Sequence, residues 1–208
     1  MDQASRTAVR FAAGYDRLML RAERGRLAGW RREVVGPAEG AVLEIAAGTG
    51  LNFPYYRGSA AVIATEPDIA ILEIAIHRAK DAETAITLIA ADAQALPFRA
   101  QTFDTVVVSL GLCTIPSPAR ALAEVRRVLR QRGVVRLLEH VRVDRPVAGR
   151  LQDILTPLWS RIAGGCRLNE RTVETVRRAG FHIDEIRWHM RGLVVAIEAC
   201  PAALGHER

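Results

Sequence analysis

The residues best suited to chemistry begin at Glu44-Ile45-Ala46-Ala47-Gly48-Thr49-Gly50-Leu51-Asn52, where an apolar run from Ala41 stops at small residues and glycines. Glycine reaches positive φ freely and lets a ligand approach the main chain, so the stretch is predicted to be a strand feeding a tight turn around a ligand. In a parallel α/β sheet such a turn lies at the carboxyl end of the first strand, where nucleotide-like ligands bind. The ligand is therefore expected beside Ala46, Gly48, Gly50 and Asn52. A dinucleotide fingerprint would need a third glycine at the position held by Phe53, which disfavours a nicotinamide-linked oxidoreductase. Glu44, inside the strand end, suits a ligand carrying an ammonium and a carboxylate, reached through water or backbone. Glu66-Pro67 follows a second apolar run, Ala61 to Thr65. A carboxylate there, roughly 20 residues past the turn, can accept hydrogen bonds from both ribose hydroxyls. Its structural alternative is to cap the next helix, a role Asp68 fills better.

Cys113, Cys166 and Cys200 are far apart and odd in number, with no C-x-x-C spacing, so no metal site is predicted and a reduced, cytoplasmic setting is expected. Cys113 is expected to be buried, since a free cysteine is commonly a small apolar residue. A net charge of +6 attracts nucleic acid or anionic membrane. Lys80 is the one lysine among 29 basic residues, however, and such an arginine bias carries little functional weight. No aromatic interleaving or RNA-binding motif accompanies the charge, so no nucleic-acid partner is expected. Nothing resembles a secretory signal or an apolar stretch of about 20 residues, so no transmembrane segment is expected.

The elements that must position these residues follow from periodicity. Residues 1–35 form an expected helical cap, with Phe11, Tyr15, Leu18 and Ala22 in one stripe among arginines. A packed helix with a solvated basic face is the ordinary reading; peripheral contact with an anionic membrane is the alternative. After it comes one domain, 36–208. Strands are predicted over Ala61–Thr65, Ile86–Ala90 and Thr105–Leu110, the last entered through Phe103-Asp104, then over Val134–Val141, Phe181–Met190 and Leu193–Ala199. Helices are predicted over Ile69–Ala79 and from Ser117, as N-cap before Pro118, to Arg130, with Gly133 ending it. Asn169 is the expected N-cap of a helix ending near Gly180. Between the last two strands a hairpin turns through Arg191-Gly192. Leu151, Ile154, Leu155, Leu158, Trp159 and Ile162 recur at helical spacing around Pro157, making a lid-like insertion at about 142–168 or a cap on the sheet edge.

Glu44-Ile45-Ala46-Ala47-Gly48-Thr49-Gly50 resembles the first motif, E-x-G-x-G-x-G, of the class I S-adenosylmethionine-dependent methyltransferases, with Ala46 in place of the first glycine. The segment Asp92-Ala93-Gln94-Ala95-Leu96-Pro97-Phe98 is similar to the family's D-A-x-x-L-P-F. Leu138-Glu139-His140-Val141, Gly164-Gly165-Cys166-Arg167-Leu168-Asn169 and Gly180-Phe181 resemble a subgroup containing alkyl-thiol methyltransferases. The resemblance covers about residues 40–200. It implies a Rossmann-like, seven-stranded, mostly parallel sheet with an antiparallel C-terminal strand and helices on both faces. It also implies S-adenosylmethionine as cofactor, with Asp92 by the adenine amino group and the Ala93 amide near the ring. Leu110 and Cys113 then follow the fourth strand, close to the transferred methyl, which makes Cys113 pocket wall and not a nucleophile. Tyr15-Asp16 resembles a Y-D pair in N-terminal helices that cover the cofactor.

Methyl transfer from a sulfonium asks little of side chains beyond alignment in a water-poor site, which can supply on the order of 7–11 kcal/mol. If the acceptor is a thiol, a base helps, and His140 is the candidate, with hydrogen bonding to a neighbouring loop as its other role. Tyr15, Cys113, His140 and Trp159 are the expected substrate contacts. The expected activity is methylation of a small, fairly apolar acceptor, a thiol favoured by the subgroup. A lipid amine, a quinone-like acceptor, or cofactor binding without transfer are the alternatives. The molecule is expected to be a monomer or homodimer.

Overall fold

A computed structural model describes residues 25–57, 61–162 and 165–202. The chain runs α1 (Arg26–Val35), β1 (Ala41–Ile45), β2 (Ala61–Thr65), α2 (Ile69–Lys80), β3 (Ile86–Ile89), β4 (Phe103–Ser109), α3 (Pro118–Val128), β5 (Leu129–His140), α4 (Pro146–Ile162), α5 (Thr172–Arg178), β6 (Phe181–His189) and β7 (Val194–Pro201). Tyr15 and the rest of the predicted cap before Gly25 lie outside the described residues.

The strands form one sheet in the order β3-β2-β1-β4-β5-β7-β6. Neighbours from β3 through β5 pair in parallel, whereas β7 runs antiparallel between β5 and β6. This is the mostly parallel sheet with an antiparallel C-terminal strand that the motifs imply. The strands β1 and β4 are buried on both faces, as continuous β-branched runs in a helix-covered sheet require. On one face Leu43, Ile45, Val106, Val108 and Leu137 meet Leu122, Val125 and Val128 of α3 and Val176 of α5. On the other, Val42, Val62, Ala64 and Val107 meet Val35 of α1 and Ala75 of α2. Each such buried Val or Leu contributes roughly 1.5–3 kcal/mol relative to exposure.

Side-chain caps read from the sequence mark the starts of two helices. Asp68 Oδ1 caps α2 by accepting from the amides of Ala70 (2.8 Å) and Ile71 (3.4 Å). Ser117 Oγ accepts from the Arg120 amide at 3.4 Å, with Pro118 at N1 of α3. Two readings differ in kind, while other element ends shift by one or two residues. The helix predicted to reach Arg130 ends at Val128, because Leu129 turns to ψ 138° and pairs with Phe103. Gly133 therefore lies within β5, which begins at Leu129 instead of Val134. Asn169 is not the cap of α5: the helix starts after Arg171 without a side-chain cap, and Asn169 Nδ2 instead donates to Asp153 Oδ1 at 3.1 Å. The β6–β7 connection is a short 3-10 turn over Met190–Gly192, with Arg191 at φ +58°.

Candidate active site

The carboxyl ends of β1, β2, β4 and β5 carry most of the residues singled out above. After β1 the chain reaches positive φ at Ala46 (+52°), Gly48 (+57°) and Gly50 (+85°). A Cβ on Gly50 would stand 2.4 Å from the Phe53 ring, so that glycine is also required by packing. Around Gly48 nothing lies within 4 Å of such an atom, which leaves the main chain bare on that side. The turn is tied to β2 by the Ala47 amide, which donates to the Thr65 carbonyl at 3.0 Å. Glu66 completes the link, accepting from the Gly48 amide (3.0 Å) and the Asp68 amide (3.3 Å). Burial raises the Glu66 carboxyl above its ordinary range against the lowering effect of those amides.

Behind the turn, Glu44 is buried. It accepts from Asn52 Nδ2 at 2.9 Å and from the Tyr56 hydroxyl at 2.7 Å. Arg31 of α1 donates to Asn52 Oδ1 at 2.7 Å, so an arginine, an amide, a carboxyl and a phenol brace the turn in series. Burial pushes the Glu44 carboxyl up to about 7, with Tyr56, Asn52 and Arg31 acting the other way. Buried at 1% exposure, with both oxygens held by side chains inside the protein, Glu44 shapes the turn. Asn52 has the same structural employment. Arg31 and Tyr56 were not singled out from the sequence, because neither belongs to a short motif.

After β3, Asp92 is exposed and its Oδ1 accepts from the Gln94 amide at 2.8 Å, while the neighbouring Ala93 is buried. Gln94 Oε1 in turn accepts from the Ser117 amide at 3.1 Å, joining this loop to the start of α3. Pro67 is exposed beside Glu66. Leu110, at φ +55°, turns the chain out of β4. It packs with Leu27 and Val34 of α1. Ser109 Oγ, at the end of β4, is buried without a hydrogen-bond partner.

A second cluster forms where β4, β5 and the insertion meet. Glu139 is fully buried at the end of β5. Its Oε1 accepts from the amides of Gly111 (3.0 Å) and Leu112 (2.8 Å), and its Oε2 from Cys113 (3.4 Å). Burial pushes this carboxyl up to about 7 against those amides. The loop after β4 is thus wrapped around a side chain adjacent to His140. The insertion closes the third side. The Arg167 amide donates to the Cys113 carbonyl at 3.1 Å, and Gln152 of α4 donates to the carbonyls of Val141 (3.1 Å) and Leu168 (2.9 Å). These straps bring Cys113 Sγ within 3.4 Å of Cys166 Sγ, which is 4.0 Å from His140 Nδ1. The thiol–thiol hydrogen bond, seconded by His140, lowers Cys166 below the ordinary thiol range, and the same bond raises Cys113. Trp159 also adjoins Cys166. Cys113 is buried, as expected of pocket wall, and His140 is half-buried. The meeting with Cys166 was invisible in the sequence, where 53 residues separate the cysteines.

Seen from this edge, α4 is the least covered element. Val147 (84%), Ile154 (73%) and Leu158 (61%) are strongly exposed, and Trp159 is 37% exposed. Among the described residues no helix is long and apolar enough to cross a membrane.

The 3-2-1-4-5-7-6 sheet, with a glycine turn at the end of β1, Glu66 after β2 and Asp92 after β3, has the architecture of a methyltransferase fold. Comparison with known proteins agrees. The family described as "Methyltransferase domain" matches residues 43–137. Human thiol S-methyltransferase TMT1A is 31% identical over 180 residues, covering 83% of this chain and 72% of that protein. The chain belongs to the class I S-adenosylmethionine-dependent methyltransferases. The demethylmenaquinone methyltransferase of Renibacterium salmoninarum is 35% identical over 137 residues, covering 64% of this chain and 55% of that one. Matches to the rat and human TMT1B proteins span 62% and 59% of their lengths. In fold, a SAM-dependent methyltransferase from Thermotoga maritima aligns at a TM-score of 0.71 with 21% identity, covering 92% of this chain and 97% of that chain.

The residues present fit the family's cofactor. The bare flank of Gly48 admits a ligand against the main chain, and Glu66 keeps free lone pairs beside its two amide bonds. Ala46, where the family motif has glycine, narrows the turn on its other side, since its methyl would stand 2.7 Å from a Cβ on Gly111.

Proposed function

We propose that the protein methylates a small, apolar thiol. The observation that carries this reading is the position of half-buried His140 at the carboxyl end of β5, beside Cys113, Cys166 and the exposed apolar helix α4. When bound, S-adenosylmethionine supplies an electrophilic methyl on a sulfonium. Glu66 would take the ribose hydroxyls, Asp92 and the Ala93 amide the adenine edge, and the backbone from Ala46 to Gly50 the amino-acid end. Glu44 and Asn52 contribute by fixing that backbone. The acceptor thiol would be presented to that methyl beside His140, with the loop after β4 and α4 around it. His140 receives the thiol proton. Leu155 and Trp159 of α4 supply apolar surface for the substituent on the thiol and exclude water, which strengthens every charge interaction within.

Calorimetric titration with S-adenosylhomocysteine, then transfer of a labelled methyl group to an alkyl thiol, tests the reading. Binding near −8 kcal/mol, a micromolar dissociation constant, with thiol methylation is the expected result. Binding without methylation of any thiol would refute it. A second reading, transfer to a quinol-type acceptor, is favoured by the 35% identity to a demethylmenaquinone methyltransferase. A demethylated quinol in the same assay separates the two.

A further inference from the structure

We propose that Cys113, His140 and Cys166 bind a divalent thiophilic cation of the zinc class, whose remaining position takes the acceptor sulfur. The metal-site claim stands on the geometry alone; the acceptor claim rests on the thiol reading above. Two sulfurs and one imidazole nitrogen lie within 4.8 Å of one another. Tetrahedral zinc, with bonds of about 2.3 Å to sulfur and about 2.05 Å to nitrogen, sets its ligands about 3.8 Å apart for S···S and about 3.6 Å for S···N. The observed separations are 3.4 Å for Cys113–Cys166 and 4.0 Å for Cys166–His140. Both differ from the ideal by about 0.4 Å, and the third pair, Cys113–His140, lies within 4.8 Å, so closing the site on an ion draws that pair in by up to about 1.2 Å.

Donor chemistry narrows the ion. Two thiolates and an imidazole select soft or borderline metals over magnesium or calcium, which favour oxygen. Two thiolates and a doubly charged ion sum to zero, which suits a place where both cysteines are buried. Three protein ligands with one position left over is the composition of catalytic zinc sites, whereas structural sites are closed by four.

The supports are in place before any ion arrives. Glu139 holds the Cys113 loop through three amides, and the Arg167 amide binds the Cys113 carbonyl, locking Cys166's loop to the same loop. His140 is fixed by the pairing of β5 with β7, where it stands opposite Val194. Such outer contacts orient ligands and tune affinity. An acceptor thiol entering the fourth position would release its proton to solvent. It would be presented as the thiolate, and His140 would then serve as ligand instead of base.

The test uses the full chain, reduced, equilibrated with zinc and then with cobalt(II) as a spectroscopic substitute. Elemental analysis is expected to give about one ion per chain, with affinity falling by at least the roughly 10–100-fold that losing even a supporting partner costs in Cys113→Ser, Cys166→Ser and His140→Gln. Cys200→Ser is expected to retain it. The cobalt protein should show thiolate charge-transfer absorption that grows when an alkyl thiol is added without cofactor. Wild-type metal content no higher than that of the Cys113→Ser/Cys166→Ser variant would overturn the site. Should the variants fail to fold, alkylation of the wild type decides: zinc should shield Cys113 and Cys166 at least tenfold, and equal labelling with and without zinc overturns it. Alkyl-thiol methylation at full rate in metal-free protein overturns the acceptor role while leaving the proposed function standing. A bound ion that gains no absorption on adding thiol overturns that role too, whereas a metal-loaded protein that binds S-adenosylhomocysteine but methylates no thiol refutes the thiol reading and not the metal site.

Discussion

Ala46 and Gly111 should behave as one unit. A Cβ on Gly111 would stand 2.7 Å from the Ala46 Cβ, 3.3 Å from Val108 Cγ1 and 3.5 Å from the Ala46 carbonyl. None of these is the far end of a flexible chain, so Gly111→Ala must displace the turn itself. Overpacking of this kind costs about 1–3 kcal/mol, from which the lost freedom of the unfolded chain recovers about 0.4–1 kcal/mol. A net destabilisation of about 1–2 kcal/mol is expected. In the Ala46→Gly background the 2.7 Å contact vanishes while the 3.3 Å contact with Val108 Cγ1 remains, so the same substitution should cost much less. Ala46→Gly by itself removes the penalty of a left-handed alanine, about 1–2 kcal/mol, against a similar entropic loss of about 0.4–1 kcal/mol. It should be neutral to about 1 kcal/mol stabilising. The assay is urea unfolding of the four proteins in the double-mutant cycle, with S-adenosylhomocysteine titrated into each. A coupling of about 1–2 kcal/mol is expected, and effects that add to within about 0.5 kcal/mol would refute the contact.

Three further outcomes follow from the site. Glu66→Gln should weaken S-adenosylhomocysteine binding by about tenfold to a hundredfold, since hydrogen bonds to a charged group are worth about 1.5–3 kcal/mol; unchanged affinity by calorimetry would remove Glu66 from the ribose. The Glu44 carboxyl is held near 7 in the folded chain against 4.5 ordinarily, so the native state keeps a proton that the unfolded state releases between those values. Its contribution is therefore full below about pH 4.5 and is lost as the pH rises to about 7, by up to about 3 kcal/mol. Glu44→Gln should lessen, without abolishing, the fall in stability between about pH 4.5 and 7 in urea titrations, since Glu139 is pushed up in the same way; an unaltered slope would contradict the assignment. Trp159→Ala should raise KM for an apolar thiol about fivefold to tenfold with little change in kcat, as about 1 kcal/mol of uniform binding is removed; a loss in kcat alone would place Trp159 elsewhere in the reaction.

Local signals made the scaffold readable. Unbroken β-branched runs announced strands buried on both faces, and Asp68 and Ser117-Pro118 announced helix starts with side chains that act within three residues. Gly48 and Gly50 announced the turn because backbone conformation is a property of the residue itself. What failed was decided at a distance. Arg130 has the propensity of a helix former, yet pairing of Leu129 with Phe103 carries the chain into β5 first. Asn169 has the right chemistry for a cap, but Asp153 on α4 captures it. The brace from Arg31 through Asn52 and Glu44 to Tyr56 joins three segments, and the Cys113–His140–Cys166 cluster joins three more. Spacing rules for cysteines work when ligands share a loop. Here the fold, not the spacing, sets the distances.

The place of β7 has a consequence for how the protein matures. The sheet's C-terminal strand is an interior strand, flanked by β5 and β6. During synthesis, the edge of β5 stays open until Val194–Pro201 has left the ribosome. His140 pairs with Val194 at the very start of β7, so its backbone is secured only once that strand is in place. Pairings that span so much chain close slowly and leave an unpaired edge exposed meanwhile. A nascent chain lacking β7 would display the β1 turn well before it could align an acceptor, so cofactor binding should emerge earlier in folding than catalysis.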